Sequence, residues 1–109
     1  MFAGIGWAAI RVAGSGSSKF PSPDVLVSNG SKVIAIECKS TKSKYQYLNP
    51  LQLKQLEIFA KTFNAEPWIA VKFSTDWKFF KPSDLAQKRK SFGVTSETQN
   101  AKFFADLTR

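Results

Sequence analysis

The chemistry this sequence offers is concentrated in Asp24, Glu37 and Lys39. Asp24 follows Pro23, and Glu37 and Lys39 flank Cys38 in the run Ala35-Ile36-Glu37-Cys38-Lys39. Alternate residues of a strand share a face, so Glu37 and Lys39 project together and Cys38 projects away. The segments Asp24–Ser28 and Lys32–Cys38 are rich in β-branched residues and enclose Asn29-Gly30, a dipeptide suited to the positive φ angles of a two-residue hairpin turn. With those two residues as the loop, Ser28 faces Ser31 and Asp24 faces Ala35. Asp24 is then the diagonal neighbour of Glu37, at roughly 7 Å between backbones. Two carboxylates leaning together from there can share one divalent cation, with oxygens near ~2.1 Å if it is magnesium. A one-residue slip of register would turn Asp24 to the opposite face and destroy the pairing.

A cation held by two carboxylates, with an ammonium beside it, suits phosphodiester hydrolysis. The ion activates water and neutralises charge on phosphorus, while the lysine orients the nucleophile or stabilises developing negative charge. The chain contains no histidine, which excludes imidazole bases, His-ligated zinc and Ser-His or Cys-His nucleophiles. Sixteen Lys plus Arg against eight Asp plus Glu give a net charge of +8, which favours a polyanionic partner. One cysteine cannot form an internal disulfide, so a reducing, cytoplasmic compartment is expected, with nucleoid association if the polyanion is DNA. The apolar run Trp7 to Ile10 is far too short for a membrane span or a signal-peptide core, so no membrane partner is expected.

The elements that must position these groups follow from local patterns. At 109 residues the chain is one domain, 1–109, with 86–109 read as a C-terminal extension. Ala8 to Ala13 reads as a strand, and Gly14-Ser15-Gly16-Ser17-Ser18 with Pro21-Ser22-Pro23 as a loop. Ser40 to Tyr47 reads as a polar, basic loop. Asn49-Pro50 caps and opens a helix whose face is marked by Leu53, Leu56, Phe59, Ala60 and Phe63, with Asn64 and Pro67 as its stop. Trp68–Phe73 and Trp77–Lys81 form a strand pair around Ser74-Thr75-Asp76. Pro82-Ser83-Asp84 opens a short helix ending in Lys88-Arg89-Lys90, and further helical turns fall around Phe103, Phe104 and Leu107. The predicted fold is α/β, a small mixed sheet with helices packed on it.

Other residues keep two readings. Gly14 to Ser18 is a plain loop or a set of phosphate donors, and Arg11 an exposed strand charge or a phosphate contact. Lys42, Lys44, Lys88, Arg89 and Lys90 are a solvated basic surface or DNA contacts. Gln52 reads as surface and Cys38 as a small buried hydrophobe. Phe59, Phe63, Trp68, Phe79 and Phe80 read as core rather than base-stacking platforms.

Taken in order, Arg11-Val12-Ala13-Gly14-Ser15-Gly16-Ser17, Pro21-Ser22-Pro23-Asp24 and Ala35-Ile36-Glu37-Cys38-Lys39 resemble the archaeal-type Holliday junction resolvases of the PD-(D/E)xK nuclease superfamily. The similarity continues through Glu57-Ile58-Phe59-Ala60-Lys61 and the Ala65–Val71 segment to about Leu85. The resemblance implies a restriction-endonuclease-like mixed sheet flanked by helices. It also implies a homodimeric, magnesium-dependent endonuclease, with manganese as a substitute, that nicks four-way DNA junctions in recombination and repair. It assigns metal ligation to Asp24 and Glu37 and the catalytic ammonium to Lys39. Ser17 becomes a further active-site candidate, and Arg11, Ser15, Ser17, Lys19, Lys42 and Lys44 become DNA-contact candidates.

The pattern departs from the family at one point. Members carry a first helix, ahead of the Arg11 strand, bearing a glutamate that completes the metal site. Here Met1 to Trp7 resembles its tail alone, and no acid precedes Asp24. Either the true start lies upstream, or the form is truncated, or the site works with two carboxylates and more waters on the metal; apolar surface is expected to be exposed where that helix would lie. Two alternatives follow, a non-catalytic DNA-binding module on the same fold and another nuclease of the superfamily acting on duplex DNA.

Overall fold

The computed structural model describes residues 6–12, 22–85, 93–95 and 104–108. Seven strands and three helices occur among them: β1 (Ala8–Arg11), β2 (Val25–Ser28), β3 (Val33–Thr41), β4 (Tyr45–Tyr47), α1 (Pro50–Phe63), β5 (Glu66–Phe73), β6 (Asp76–Phe80), α2 (Pro82–Leu85), β7 (Gly93–Thr95) and α3 (Phe104–Leu107). The main sheet runs β1-β2-β3-β5-β6. Its β3–β5 pair is parallel and its other neighbours are antiparallel. A parallel pair needs a crossover, and α1 supplies it, packing on one face of the sheet.

The hairpin between β2 and β3 differs from the expected two-residue turn. Ser28 faces Val33, not Ser31, so the connection spans 29–32 and the pairing is displaced by two residues. The Asn29 side chain causes the widening. Its Oδ1 accepts from Ser31 N at 2.9 Å and Lys32 N at 2.7 Å, and the Asn29 backbone N–H donates to Lys32 O at 3.2 Å. Asparagine thus mimics a backbone turn with its own side chain. Gly30 still serves the bend, at φ 93. Displacement by two preserves which face each side chain takes.

The helix forms as its sequence predicts. Asn49 accepts from Leu51 N at 2.9 Å, Pro50 occupies the first turn, and Asn64 closes the helix in the left-handed region. Leu53, Leu56 and Ala60 are buried with Ala35, Ile69, Val71, Phe73 and Phe80. Phe59 is partly buried and stacks on Phe63, but Phe63 itself is exposed and is not part of the core. Pro67 does not follow the helix as a stop; it lies within β5.

The expected loop Ser40 to Tyr47 is largely strand. β3 runs on to Thr41, carried by its pairing with β5, and β4 pairs with β7 from the far end of the chain. The predicted end of the α2 helix at Lys88-Arg89-Lys90 lies outside the described residues, as do Gly14 to Ser18.

The opposite face of the sheet buries Trp7, Val27, Ile34, Ile36, Trp68, Ala70 and Phe79 with Leu107 of α3. Leu107 of α3 is held on this face by Lys32, which donates to Leu107 O at 3.0 Å and pairs with Glu66 at 3.4 Å. Large apolar side chains are exposed elsewhere, at Ile10, Leu51 and Ile58. Phe80 is fully buried against the helix-bearing face. Phe80→Ala is expected to cost about 3–5 kcal/mol in urea or thermal unfolding, through lost burial and the cavity left behind.

Candidate active site

Asp24 is fixed by its backbone before its side chain acts. Its N–H donates to Ile36 O at 3.0 Å, and its carbonyl accepts from Val12 N at 2.8 Å, locking it between β1 and β3. Continuing the β2–β3 register by one step sets Asp24 directly opposite Glu37, closer than the diagonal position expected from a two-residue turn. Asp24 Oδ2 accepts from Cys38 N at 2.8 Å, so the carboxylate takes up a β3 amide at the end of the ladder.

Glu37 and Lys39 point from β3 to the face that α1 covers, beside Ile69 and Val71 of β5. Lys39 Nζ lies 3.8 Å from Glu37 Oε2 and donates to Gln52 Oε1, on the first turn of α1, at 3.0 Å. No acidic residue occupies that first turn, so the partial positive charge of the helix start adds to the ammonium nearby.

The electrostatics are those of two anions pressed together. Burial, then the Asp24 charge and a hydrogen bond with it, push the Glu37 carboxyl up to about 7 against the opposing pull of Lys39. Burial, with the Asp24 and Glu37 charges, pushes the Cys38 thiol up to about 11, so Cys38 is no nucleophile at neutral pH. It packs with the apolar cluster on the face opposite α1, but is only partly buried and not the buried side chain the sequence suggests.

A divalent cation suits this donor set: two hard oxygen ligands, crowded enough that one resists ionisation, beside an ammonium that remains outside the ligand set. Asp24 and Glu37 are the residues able to hold it. Among the described residues no group of three His, Cys, Asp or Glu side chains is placed as a metal cluster.

The remaining candidates are distributed unevenly. Arg11 pairs with Val25, on the face opposite the carboxylates, and its charge opposes the rise of the Cys38 pKa. Lys42 and Lys44 are exposed at the far end of β3. The loop carrying them is tied to the β5–β6 turn, where Ser74 N donates to Thr41 O at 2.8 Å and Ser74 Oγ to Lys42 O at 3.4 Å. Ser15, Ser17 and Lys19 lie outside the described residues. Gln52, which reads as plain surface in the sequence, joins the site. Its place in the first helical turn is legible, but a contact thirteen residues away in sequence has no local signal.

The coupled carboxylates yield a pH prediction for the metal-free protein. Between pH 4.5 and about 7 the unfolded chain has released the Glu37 proton while the native state still holds it. Native stability from this group therefore falls as pH rises through that window and levels off above it. Urea midpoints in chelator are expected to be lower at pH 8 than at pH 5.5. Glu37→Gln should flatten that difference, and added divalent cation should reverse it in the wild type alone.

A mixed sheet with helices packed on it, carrying an aspartate opposite a Glu-x-Lys strand, defines a restriction-endonuclease-like α/β domain. The chain belongs to the archaeal Holliday junction resolvase (Hjc) family, whose sequence profile matches residues 1–109. It is similar to the crossover junction endodeoxyribonuclease Hjc of Archaeoglobus fulgidus, 43% identical over 90 residues, covering 82% of this chain and 66% of that protein. It is also similar to the crossover junction endodeoxyribonuclease Hje of Saccharolobus solfataricus, 34% identical over 83 residues, covering 72% of this chain and 62% of that one. The chain thus spans somewhat less than two-thirds of the length of these relatives. The 1.6 Å structure of A. fulgidus Hjc, a Holliday junction resolvase, superposes with a TM-score of 0.87 at 37% identity, covering 98% of this chain and 89% of that one.

Proposed function

We propose that this chain is a structure-selective endonuclease that resolves four-way DNA junctions by metal-dependent phosphodiester hydrolysis, in recombination and repair. The observation that carries the reading is the convergence of Asp24, Glu37 and Lys39 on one face of a resolvase-family sheet, with Lys39 3.8 Å from Glu37. Asp24 and Glu37 hold a divalent cation, magnesium in ordinary use and manganese as a substitute. When bound, such an ion activates water and offsets charge on the phosphate. Lys39 offers its ammonium to the scissile phosphate, where negative charge grows in the transition state.

Backbone phosphates beyond the cut meet Lys42 and Lys44 at the tip of β3. Ser15, Ser17, Lys19 and Arg11 are further DNA contacts on the strength of the family pattern, with Ser17 at the active site. Two symmetric cuts per junction call for two such sites, hence a homodimer. The exposed Leu51 and Ile58 on the outer side of α1, with Tyr45 and Tyr47 of β4 nearby in sequence, offer apolar surface for it. No helix among the described residues is long and apolar enough to cross a membrane.

Cleavage assays on four-way junction, plain duplex and flap test the proposal. Junction cutting in excess of duplex cutting is expected. Equal cutting would point to another nuclease on this fold, and binding without product, unchanged in Asp24→Asn, to a DNA-binding module. Junction affinity is expected to fall with a steep log–log salt slope, of about one unit per phosphate contacted, in filter binding or anisotropy.

A further inference from the structure

Lys39 has a long, flexible side chain, and an ammonium that must meet one phosphate needs something to hold it there. Glu37 does not do so tightly. Its oxygen is 3.8 Å away, beyond the length of a charge-assisted hydrogen bond. The short contact is to Gln52, whose Oε1 accepts from Nζ at 3.0 Å. We infer that Gln52 is a positioning residue, which holds the Lys39 ammonium at the Asp24–Glu37 site without neutralising it. Its catalytic meaning rests on the nuclease reading of Lys39 given above.

The choice of an amide has a chemical reason. A lysine ammonium only donates, so the glutamine must present its oxygen to it, and its NH2 group is directed elsewhere. An amide oxygen carries no net charge, so it aims the ammonium while leaving its full charge for phosphate. A carboxylate there would add a third anion to a pair already crowded enough to raise the Glu37 pKa. An apolar residue would leave Lys39 to swing between Glu37 and solvent.

The support behind Gln52 is rigid. Asn49 caps the turn, Pro50 presets its backbone, and Leu53 and Leu56 seat the helix in the core. Gln52 itself is exposed and contributes nothing to that core. The apolar helix face therefore gives no reason for glutamine here, whereas the contact to Lys39 uses its side-chain oxygen.

The test combines two measurements on the full chain: single-turnover and steady-state cleavage of a four-way junction, and the NMR order parameter of the Lys39 ammonium without DNA. For Gln52→Ala we expect kcat to fall about 10- to 100-fold, the scale on which misplaced catalytic groups act. KM, junction affinity and Tm should stay unchanged, and the Lys39 order parameter should fall. Gln52→Glu, which keeps an acceptor oxygen at the same reach, should restore the order parameter, and Gln52→Asn, one methylene shorter, should not. Adding Gln52→Ala to Lys39→Ala should slow cleavage no further.

An unchanged Lys39 order parameter in Gln52→Ala overturns the inference whether or not the chain cuts junctions. So does a loss of cleavage accompanied by a matching fall in Tm or junction affinity. If Lys39 loosens but the wild type cuts no junction, the positioning contact stands and the nuclease reading falls.

Discussion

Lys39→Ala is expected to lower the single-turnover rate of junction cleavage on the order of 10²–10³-fold while leaving junction affinity nearly unchanged. The two effects separate because they draw on different physics. Affinity for a polyanion sums many phosphate contacts, and removing one charge from a chain of net +8 changes the salt slope by about one unit at most. Catalysis depends on charge placed where the transition state develops it, the role proposed for the ammonium that contacts Gln52 at 3.0 Å. Lys39→Arg should restore little activity, since a planar guanidinium fork does not reproduce the point charge of a compact ammonium. Anisotropy titrations beside quenched cleavage reactions check this. A comparable loss of binding and cleavage would mean that Lys39 serves the fold or the interface instead.

The second large effect is expected from Asp24→Asn. The side chain keeps its shape, and an amide oxygen can still accept from Cys38 N, so the strand end should survive. In the proposed site one anionic oxygen ligand of two is lost. Changes to the hydrogen-bond partners of metal ligands alone alter metal affinity or activity by about 10–100-fold, so loss of a ligand should cost at least that in divalent affinity, with cleavage falling in step. Without metal the direction reverses. Removing the Asp24 charge relieves both neighbours whose pKa it raises, so the carboxyl of Glu37 and the thiol of Cys38 return toward their ordinary ranges. The metal-free variant should then be more stable than wild type near pH 8. Calorimetric titration with manganese and urea melts in chelator read the two arms independently. A variant that binds metal as well as wild type would remove Asp24 from the ligand set.

Both expectations depend on Asp24 and Glu37 sharing a face, and that much is legible in the sequence. Strand residues alternate, so Glu37 and Lys39 had to project together, and any pairing displaced by an even number of residues keeps Asp24 with them. The exact register is another matter. Asn29-Gly30 signals a bend, but whether asparagine uses its backbone or its side chain to make it depends on competition among hydrogen bonds that composition does not rank. The side chain prevails, and Asp24 moves from a diagonal position to one directly opposite Glu37.

Helix α1 shows the same division. Its cap, its proline, its apolar spacing and its left-handed stop are interactions among near neighbours, so the sequence alone determined them. The sequence likewise determined the chemistry available: no imidazole, one thiol, paired acids and an excess of positive charge. Tertiary structure decided which distant segments meet. It joined β4 to β7, seated Leu107 on the sheet, turned Arg11 to the other face and brought Gln52 to Lys39. Local patterns record the state of one segment and its neighbours. Contacts between segments exist only once the whole chain has found the packing that buries both sheet faces, so no short stretch carries them.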